Sequence, residues 1–278
     1  MYQALYRKWR PRTFEEVVGQ EHITTTLKNE MIQGKPAHAY LLMGSRGTGK
    51  TTCAKLIAKA VNCRNPVDGS PCGQCDCCRG VDNGSLVDVV EIDAASNNGV
   101  DNIRDLREEA VFLPNIAKYR VYIIDEAHML SVGAVNALLK IMEEPPEHVI
   151  FILATTEVHK IPATIQSRCQ RFDFKRIAPE VIRDRLLFIA GQEDMTLTEE
   201  AAALIARIAD GGMRDALSLL DLCWAHAHDI TVEAVSEAAG LVGLRSPMPP
   251  RRGILPAQWM PWSAWPDRLW NMTACAVN

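Results

Sequence analysis

Gly44-Ser45-Arg46-Gly47-Thr48-Gly49-Lys50-Thr51 reads G-x-x-x-x-G-K-T and stands between an apolar run, Ala39 to Met43, and a helical pattern that begins near Lys50. Strand, glycine-rich turn and helix in that order point successive backbone N–H groups at a polyphosphate and add the positive end of a helix. Lys50 brings a charge to the phosphates and Thr51 a hydroxyl to Mg²⁺, with Thr52 next in line as a nucleotide contact. The glycines are required because a Cβ would collide with the phosphate or with the turn.

The 278 residues suffice for one large or two medium domains with a sizeable core. A hydrophobic share of 47% against 23% charged residues is ordinary for a globular protein, and a formal net charge of −4 gives no global attraction for nucleic acid. Any DNA contact must then come from a local basic surface or from partner subunits. The first dozen residues are basic but lack the apolar core of a signal peptide, and nowhere do 18 apolar residues run together, so the expectation is a cytoplasmic protein without a membrane partner. Nine cysteines in such a chain point to metal ligands or buried thiols.

Residues 2–13 form a basic, aromatic lead-in without helical period, followed by an amphipathic helix over Glu21 to Gln33 that Gly34 ends. The segment Cys63 to Gly84 is poor in large apolar residues and reads as an excursion from the core. Leu86 to Ile92, Val121 to Ile124 and Val149 to Ala154 read as strands, the apolar ones of the continuous kind that parallel sheets bury on both faces. Helices are expected over Val100 to Val111 and Ala134 to Glu144, the latter stopped by Pro145-Pro146, and Ile165 to Phe174 closes the series. Alternating strands and helices make a three-layer α/β domain over residues 1–175. From Pro179 the pattern is helical only, with segments Pro179 to Ala190, Thr198 to Ala209, Met213 to His226 and Thr231 to Ala239, a small all-helical lid domain over 176–240.

A phosphate loop needs an acid at the end of a second strand, and Val121-Tyr122-Ile123-Ile124-Asp125-Glu126 supplies one. Asp125 is expected to hold Mg²⁺ through water opposite Thr51, and Glu126 to polarise the water that attacks the γ-phosphate. Further donors must meet the charge spread over the γ-oxygens, and Thr155, Arg168 and Arg214 stand at suitable points of the chain, although each also fits a capping or surface role.

Asp125-Glu126-Ala127-His128, Glu143-Glu144-Pro145-Pro146, Ala154-Thr155-Thr156, Ser167-Arg168-Cys169 and Gly212-Met213-Arg214-Asp215-Ala216 occur in order behind Leu5-Tyr6-Arg7-Lys8-Trp9-Arg10-Pro11 and Val18-Gly19-Gln20. Together they resemble the AAA+ ATPase subunits of bacterial DNA polymerase III clamp loaders, the gamma/tau family, over about residues 2–240. The resemblance implies an ATPase that couples ATP and Mg²⁺ to loading of a sliding clamp on primed DNA, under the polymerase classification of its holoenzyme, EC 2.7.7.7. It implies delta, delta-prime and further gamma/tau copies as partners. It assigns Thr155 to the sensor 1 position, Arg214 to sensor 2, and Arg168 to an arginine finger serving a neighbour's ATP. Arg7, Arg10, Pro11, Val17 and Val18 are implied on the adenine side. A helicase loader or branch-migration ATPase is a competing member of the same class, disfavoured by the cysteines and by Ser167-Arg168-Cys169.

Cys63-x8-Cys72-x2-Cys75-x2-Cys78 offers four thiolates, three of them at two-residue separations that can converge on a tetrahedral Zn²⁺, a structural site without an open position, against the alternative of reduced cysteines in a surface loop; Cys77 is a spare thiol that a register error would put in place of Cys78. The resembling family carries a zinc module at this point. Arg104 and Arg107, within 94–109, either track a duplex backbone, as the resemblance implies, or line a solvated helical face. Residues 241–278 hold six of the 15 Pro, four of the six Trp and no Lys, and match nothing in the family, which continues into a helical collar. The expectation for them is disorder or translation out of frame, with a partner-binding tail as the alternative. The competing functional reading is accordingly a nucleotide- and zinc-binding fragment that cannot assemble and has no motor activity of its own.

Overall fold

The computed structural model describes residues 3–240; the expectation for 241–278 lies outside the described residues. In chain order the elements are α1 (Leu5–Lys8), α2 (Glu21–Gln33), β1 (Ala39–Gly44), α3 (Lys50–Asn62), α4 (Asp76–Asn83), β2 (Val89–Asp93), α5 (Val100–Glu109), β3 (Arg120–Asp125), α6 (Val132–Glu143), β4 (Val149–Thr155), α7 (Ala163–Gln166) and β5 (Gln170–Phe174). There follow α8 (Pro179–Gln192), β6 (Thr196–Leu197), α9 (Glu199–Ile208), α10 (Met213–His226), β7 (Asp229–Ile230) and α11 (Val232–Ala238).

β1 to β5 form one parallel sheet in the order β2-β3-β4-β1-β5. From β1 the chain skips two places to β2, returns through β3 and β4, and crosses to β5 on the other side. The carboxyl ends of β1, β3 and β4 therefore sit side by side, where open α/β sheets bind ligands. The three central strands are buried on both faces, yet their side chains still alternate. Tyr40, Leu42, Val121, Ile123, Ile150 and Ile152 pack under α2 and α3. Leu41, Tyr122, Ile124, Phe151 and Leu153 pack under α5 and α6. The outer strands β2 and β5 carry Glu91 and Asp173 because one edge of each meets solvent.

Several boundaries move for identifiable reasons. Ser131 caps α6 by accepting from the Ala134 N–H at 3.2 Å, so the helix begins two residues before the apolar pattern does. Ile165 belongs to α7, and β5 starts only at Gln170. β2 starts at Val89, because Leu86 instead packs with Cys77 and Val81 in a small satellite core against α4. The lead-in contains one helical turn, α1, whose Leu5 is buried in the third core with Ile177, Ile182 and Leu220. The helical region from Pro179 also contains a strand pair. Thr196–Leu197 and Asp229–Ile230 lie parallel because each is the extended lead-in to a capped helix, Thr198 and Thr231 accepting from the N–H three residues on.

Candidate nucleotide site

β1 ends at Gly44, whose φ of 146° only glycine adopts freely, and a Cβ there would lie 2.3 Å from the Phe174 carbonyl oxygen on β5. The loop closes on itself through Thr48 Oγ1, which donates to the Ser45 carbonyl at 2.8 Å. Gly49, with φ 106°, turns the chain into α3 and leaves the first N–H groups of that helix at the loop. Lys50 is buried and its Nζ donates to the Gly44 and Ser45 carbonyls at 2.9 and 2.7 Å. Burial lowers its pKa against the opposing influence of Glu126 and Asp125, and an added anion beside it would favour the charged form further.

β3 brings the acids to this point. Thr51 Oγ1 donates to Asp125 Oδ2 at 2.8 Å, and the other carboxylate oxygen accepts from the Glu126 N–H at 3.0 Å. Glu126 has φ 47°, a left-handed conformation uncommon for a residue with a side chain, which turns it off the strand line. Its Oε2 accepts from Thr156 Oγ1 at 3.0 Å and lies 3.4 Å from His128 Nδ1. Thr155, fully buried at the end of β4, has its hydroxyl 3.2 Å from His128 Nδ1 and accepts from the Glu157 N–H at 3.0 Å. Sequence reasoning gave His128 and Thr156 no role. The doubled threonine after β4 and the histidine three residues after Asp125 were the only signals.

Arg10 Nε donates to Thr52 Oγ1 at 3.3 Å, which sets the lead-in beside the start of α3. Burial pulls its pKa below the ordinary guanidinium value, while Glu91, Asp125 and Asp82 act to raise it. Arg7 instead contacts Tyr6, and Pro11 and Val18 are half-buried nearby. Val17 points into the core under the sheet with Phe14 and Ile23, so that only its backbone is free to line a pocket. Arg214, exposed near the start of α10, stacks its guanidinium 5.0 Å from the Tyr6 ring centre. The amino end of α10 lies against the phosphate loop: the Met213 N–H donates to the Gly47 carbonyl at 3.0 Å, and a Cβ on Gly47 would approach Gly212 Cα to 3.0 Å. Arg168 stands apart from this constellation, bonded to Glu143 at 3.0 Å and to the Thr164 carbonyl at 2.8 Å. Arg104 pairs with Asp101 along α5.

The sulfurs of Cys63, Cys72, Cys75 and Cys78 lie within 4.8 Å of one another, Cys72 and Cys78 at 4.0 Å. Thiolates bound to a tetrahedral zinc stand about 3.8 Å apart, so a small contraction closes the site. Backbone N–H groups of Cys72 and Cys75 donate to the sulfurs of Cys63 and Cys72, each at 3.3 Å. Burial raises the Cys75 thiol, but N–H donors from Arg64 and Cys78 outweigh it and bring it down to about 6, whereas burial pushes Cys78 up. Four thiols this close cannot all ionise without a cation among them, which is what the donor set fits. Cys77 is buried with Val81 and Leu86 on the other side of α4 and is not in the cluster.

A parallel sheet of this order, a phosphate loop bonded to a strand-end acid and a helical lid on the loop give the chain the P-loop fold of the AAA+ class. The solved branch-migration motor RuvB of Thermotoga maritima shares the fold, with a TM-score of 0.62 over 85% of this chain and 74% of that one, at 19% identity. Residues 19–178 match the family described as DNA polymerase III, delta subunit, and 181–229 match the DNA polymerase III clamp loader subunit ATPase lid domain. The chain belongs to the DNA polymerase III clamp-loader ATPase family. It is 62% identical over 230 residues to DNA polymerase III subunit tau of Bacillus subtilis, covering 82% of this chain and 41% of that protein. Against subunit tau of Escherichia coli the identity is 48% over 240 residues, 86% of this chain and 37% of the relative. The chain thus spans about two-fifths of the length of these curated relatives. Among the described residues no helix is long and apolar enough to cross a membrane.

Proposed function

We propose that this chain is the ATP-binding and ATP-hydrolysing part of a clamp-loader motor subunit, coupling ATP to the placement of a sliding clamp on primed DNA. The observation that carries the reading is the Thr51–Asp125 hydrogen bond, which joins the phosphate loop to the strand-end acid inside a chain closely similar to tau subunits. In this reading the loop N–H groups and Lys50 hold the β- and γ-phosphates, and Thr51 and Asp125 are the residues that would hold Mg²⁺. When bound there, the ion would supply positive charge to the phosphates. Glu126 orients and deprotonates the attacking water, and Thr155 and Arg214 bind the γ-phosphate side.

Arg168 serves the ATP of an adjacent subunit, since its partners Glu143 and Thr164 hold it outside its own phosphate loop. The backbone of Val17 and Val18, with Arg7, Arg10 and Pro11, borders the adenine. Cys63, Cys72, Cys75 and Cys78 would hold a structural Zn²⁺. The partners are delta, delta-prime and further gamma/tau copies, the clamp and primed DNA, and the compartment is the cytoplasm. The site supports phosphoanhydride hydrolysis, and nucleotidyl transfer is left to the other parts of the holoenzyme.

The test is ATP turnover by the chain together with its partner subunits, clamp and primed DNA. Turnover should rise well above that of the chain alone and vanish in Glu126→Gln while nucleotide binding persists. Turnover that stays at background under these conditions refutes the motor reading.

A further inference from the structure

The cysteine segment is tied to two different elements that flank the phosphate loop, and its two limbs, which run on from each other through residues 72–76, are drawn together by the four clustered thiols and by Arg64 with Asp76 at 3.8 Å. The first limb, between Cys63 and Cys72, lies on α2 and on the segment before it. Ser70 Oγ is 2.9 and 2.8 Å from the two carboxylate oxygens of Glu15, which also pairs with Lys28. Gly69, with φ 78°, is so close to α2 that a Cβ would lie 2.5 Å from the Lys28 carbonyl oxygen. The second limb, α4, lies on α3. Lys59 is only 2% exposed and its Nζ meets Asp82 of α4 at 2.9 Å.

Both anchor points belong to elements that border the phosphate loop. Lys59 is on the helix that begins with Lys50 and Thr51, and Glu15 is five residues beyond Arg10, which bonds Thr52 on that same helix. Asp82 also acts on Arg10 itself, raising its pKa against burial. α4 buries Cys77, Cys78 and Val81 against α3 and against Leu86, Val89 and Ala117, and a cavity of about 180 Å³ lined by Lys55, Val81, Val89 and Glu91 lies beside this packing. The polar ties at Ser70–Glu15 and Asp82–Lys59 add direction to this packing and fix which residues the module meets.

We infer that the cysteine module is a clasp: through Ser70–Glu15 on one side and Asp82–Lys59 on the other, it sets the separation of the lead-in segment from α3 and thereby the affinity for nucleotide. Ser70 and Asp82 are positioning residues that need not touch the nucleotide, and the four cysteines hold the two limbs together when metal is bound. The inference rests on the functional reading above.

Nucleotide affinity is measured by titrating a fluorescent ATP analogue into the full chain, into Ser70→Ala, into Asp82→Asn, and into the parent chain stripped of metal by a chelator. Zinc content, circular dichroism and amide hydrogen exchange are recorded for each. The clasp predicts affinity about fivefold weaker in Ser70→Ala with zinc content unchanged. It predicts a similar loss in the stripped chain, no further loss when the two are combined, and faster exchange over residues 13–20 and 50–62. Asp82→Asn leaves Lys59 buried without its charge partner and should weaken binding further. If that variant fails to fold, Ser70→Ala and the stripped chain still decide the question. Affinities within twofold of the parent in folded Ser70→Ala and in the stripped chain overturn the clasp. A parent chain that binds no nucleotide removes the functional reading itself, and the inference with it.

Discussion

Thr51 Oγ1 donates to Asp125 Oδ2 across 2.8 Å, and that one bond ties the first turn of α3 to the last residue of β3, 74 positions later in the chain. Removing either partner takes away the register between loop and acid and, in the proposed reading, a residue that would hold Mg²⁺. Asp125→Ala should therefore lower ATP turnover about 100-fold or more in the assembled complex, measured by phosphate release, with the melting temperature little changed.

Lys50 sits buried with only two backbone carbonyls as immediate partners and a pKa that burial has already lowered. Lys50→Ala relieves that burial while removing the main cation for the phosphates. The expected result is nucleotide affinity weakened by about 100-fold together with an unchanged or slightly raised melting temperature of the nucleotide-free protein, read by titration and by thermal denaturation.

The approach of α10 to the loop leaves no room for side chains. A Cβ on Gly212 would lie 2.9 Å from Asp215 Oδ2 and 3.3 Å from the Arg46 carbonyl oxygen. Gly212→Val should push the lid from the loop and weaken nucleotide binding about tenfold. Gly191→Ala, on α8 where a Cβ meets nothing within 4 Å, should leave binding as it is and serves as the control.

Burial tends to raise the Glu15 carboxyl, but the Lys28 ammonium, a backbone N–H and the Ser70 hydroxyl override it and bring it to about 2. A carboxyl whose folded value lies below its unfolded one adds stability that is complete above about 4.5 and is lost as the pH falls toward 2. The stability gap between the parent chain and Glu15→Gln, followed by urea denaturation, should be constant from pH 7 to 5 and close between pH 4.5 and 2.

One zinc per chain is expected by elemental analysis, with four sulfur neighbours by X-ray absorption. Cys75→Ser should lose the metal. Cys77→Ser should keep it and cost about 1 to 2 kcal/mol of stability, because Cys77 is buried in the satellite core with Val81 and Leu86.

Local chemistry was legible in the chain wherever a backbone shape needs particular residues in succession. Gly44, Gly47 and Gly49 take positive φ angles, and the order of strand, loop and helix around them follows from residues next to one another. Continuous apolar runs marked β1, β3 and β4 as strands buried on both faces, and cysteine spacing marked the four cysteines whose sulfurs cluster, with Cys77 as the spare. Short or one-sided elements were misjudged. α1, β6 and β7 are too short to display a period, and Ile165 looked like strand because an isolated apolar residue carries no period at all.

What the sequence alone determined was which residue types are available and how neighbours must bend: a phosphate loop, an acid at a strand end, a cysteine quartet, a helical lid. Tertiary structure alone decided which of them meet. Sheet order set Asp125 beside Thr51 and Thr156 beside Glu126. It turned Val17 inward, placed Arg214 over Tyr6, and bound the cysteine segment to both Glu15 and Lys59. The reason is physical: a backbone turn depends on φ and ψ of adjacent residues, whereas contacts between distant residues depend on how strands order and which faces bury, a property of the whole core and of no single stretch.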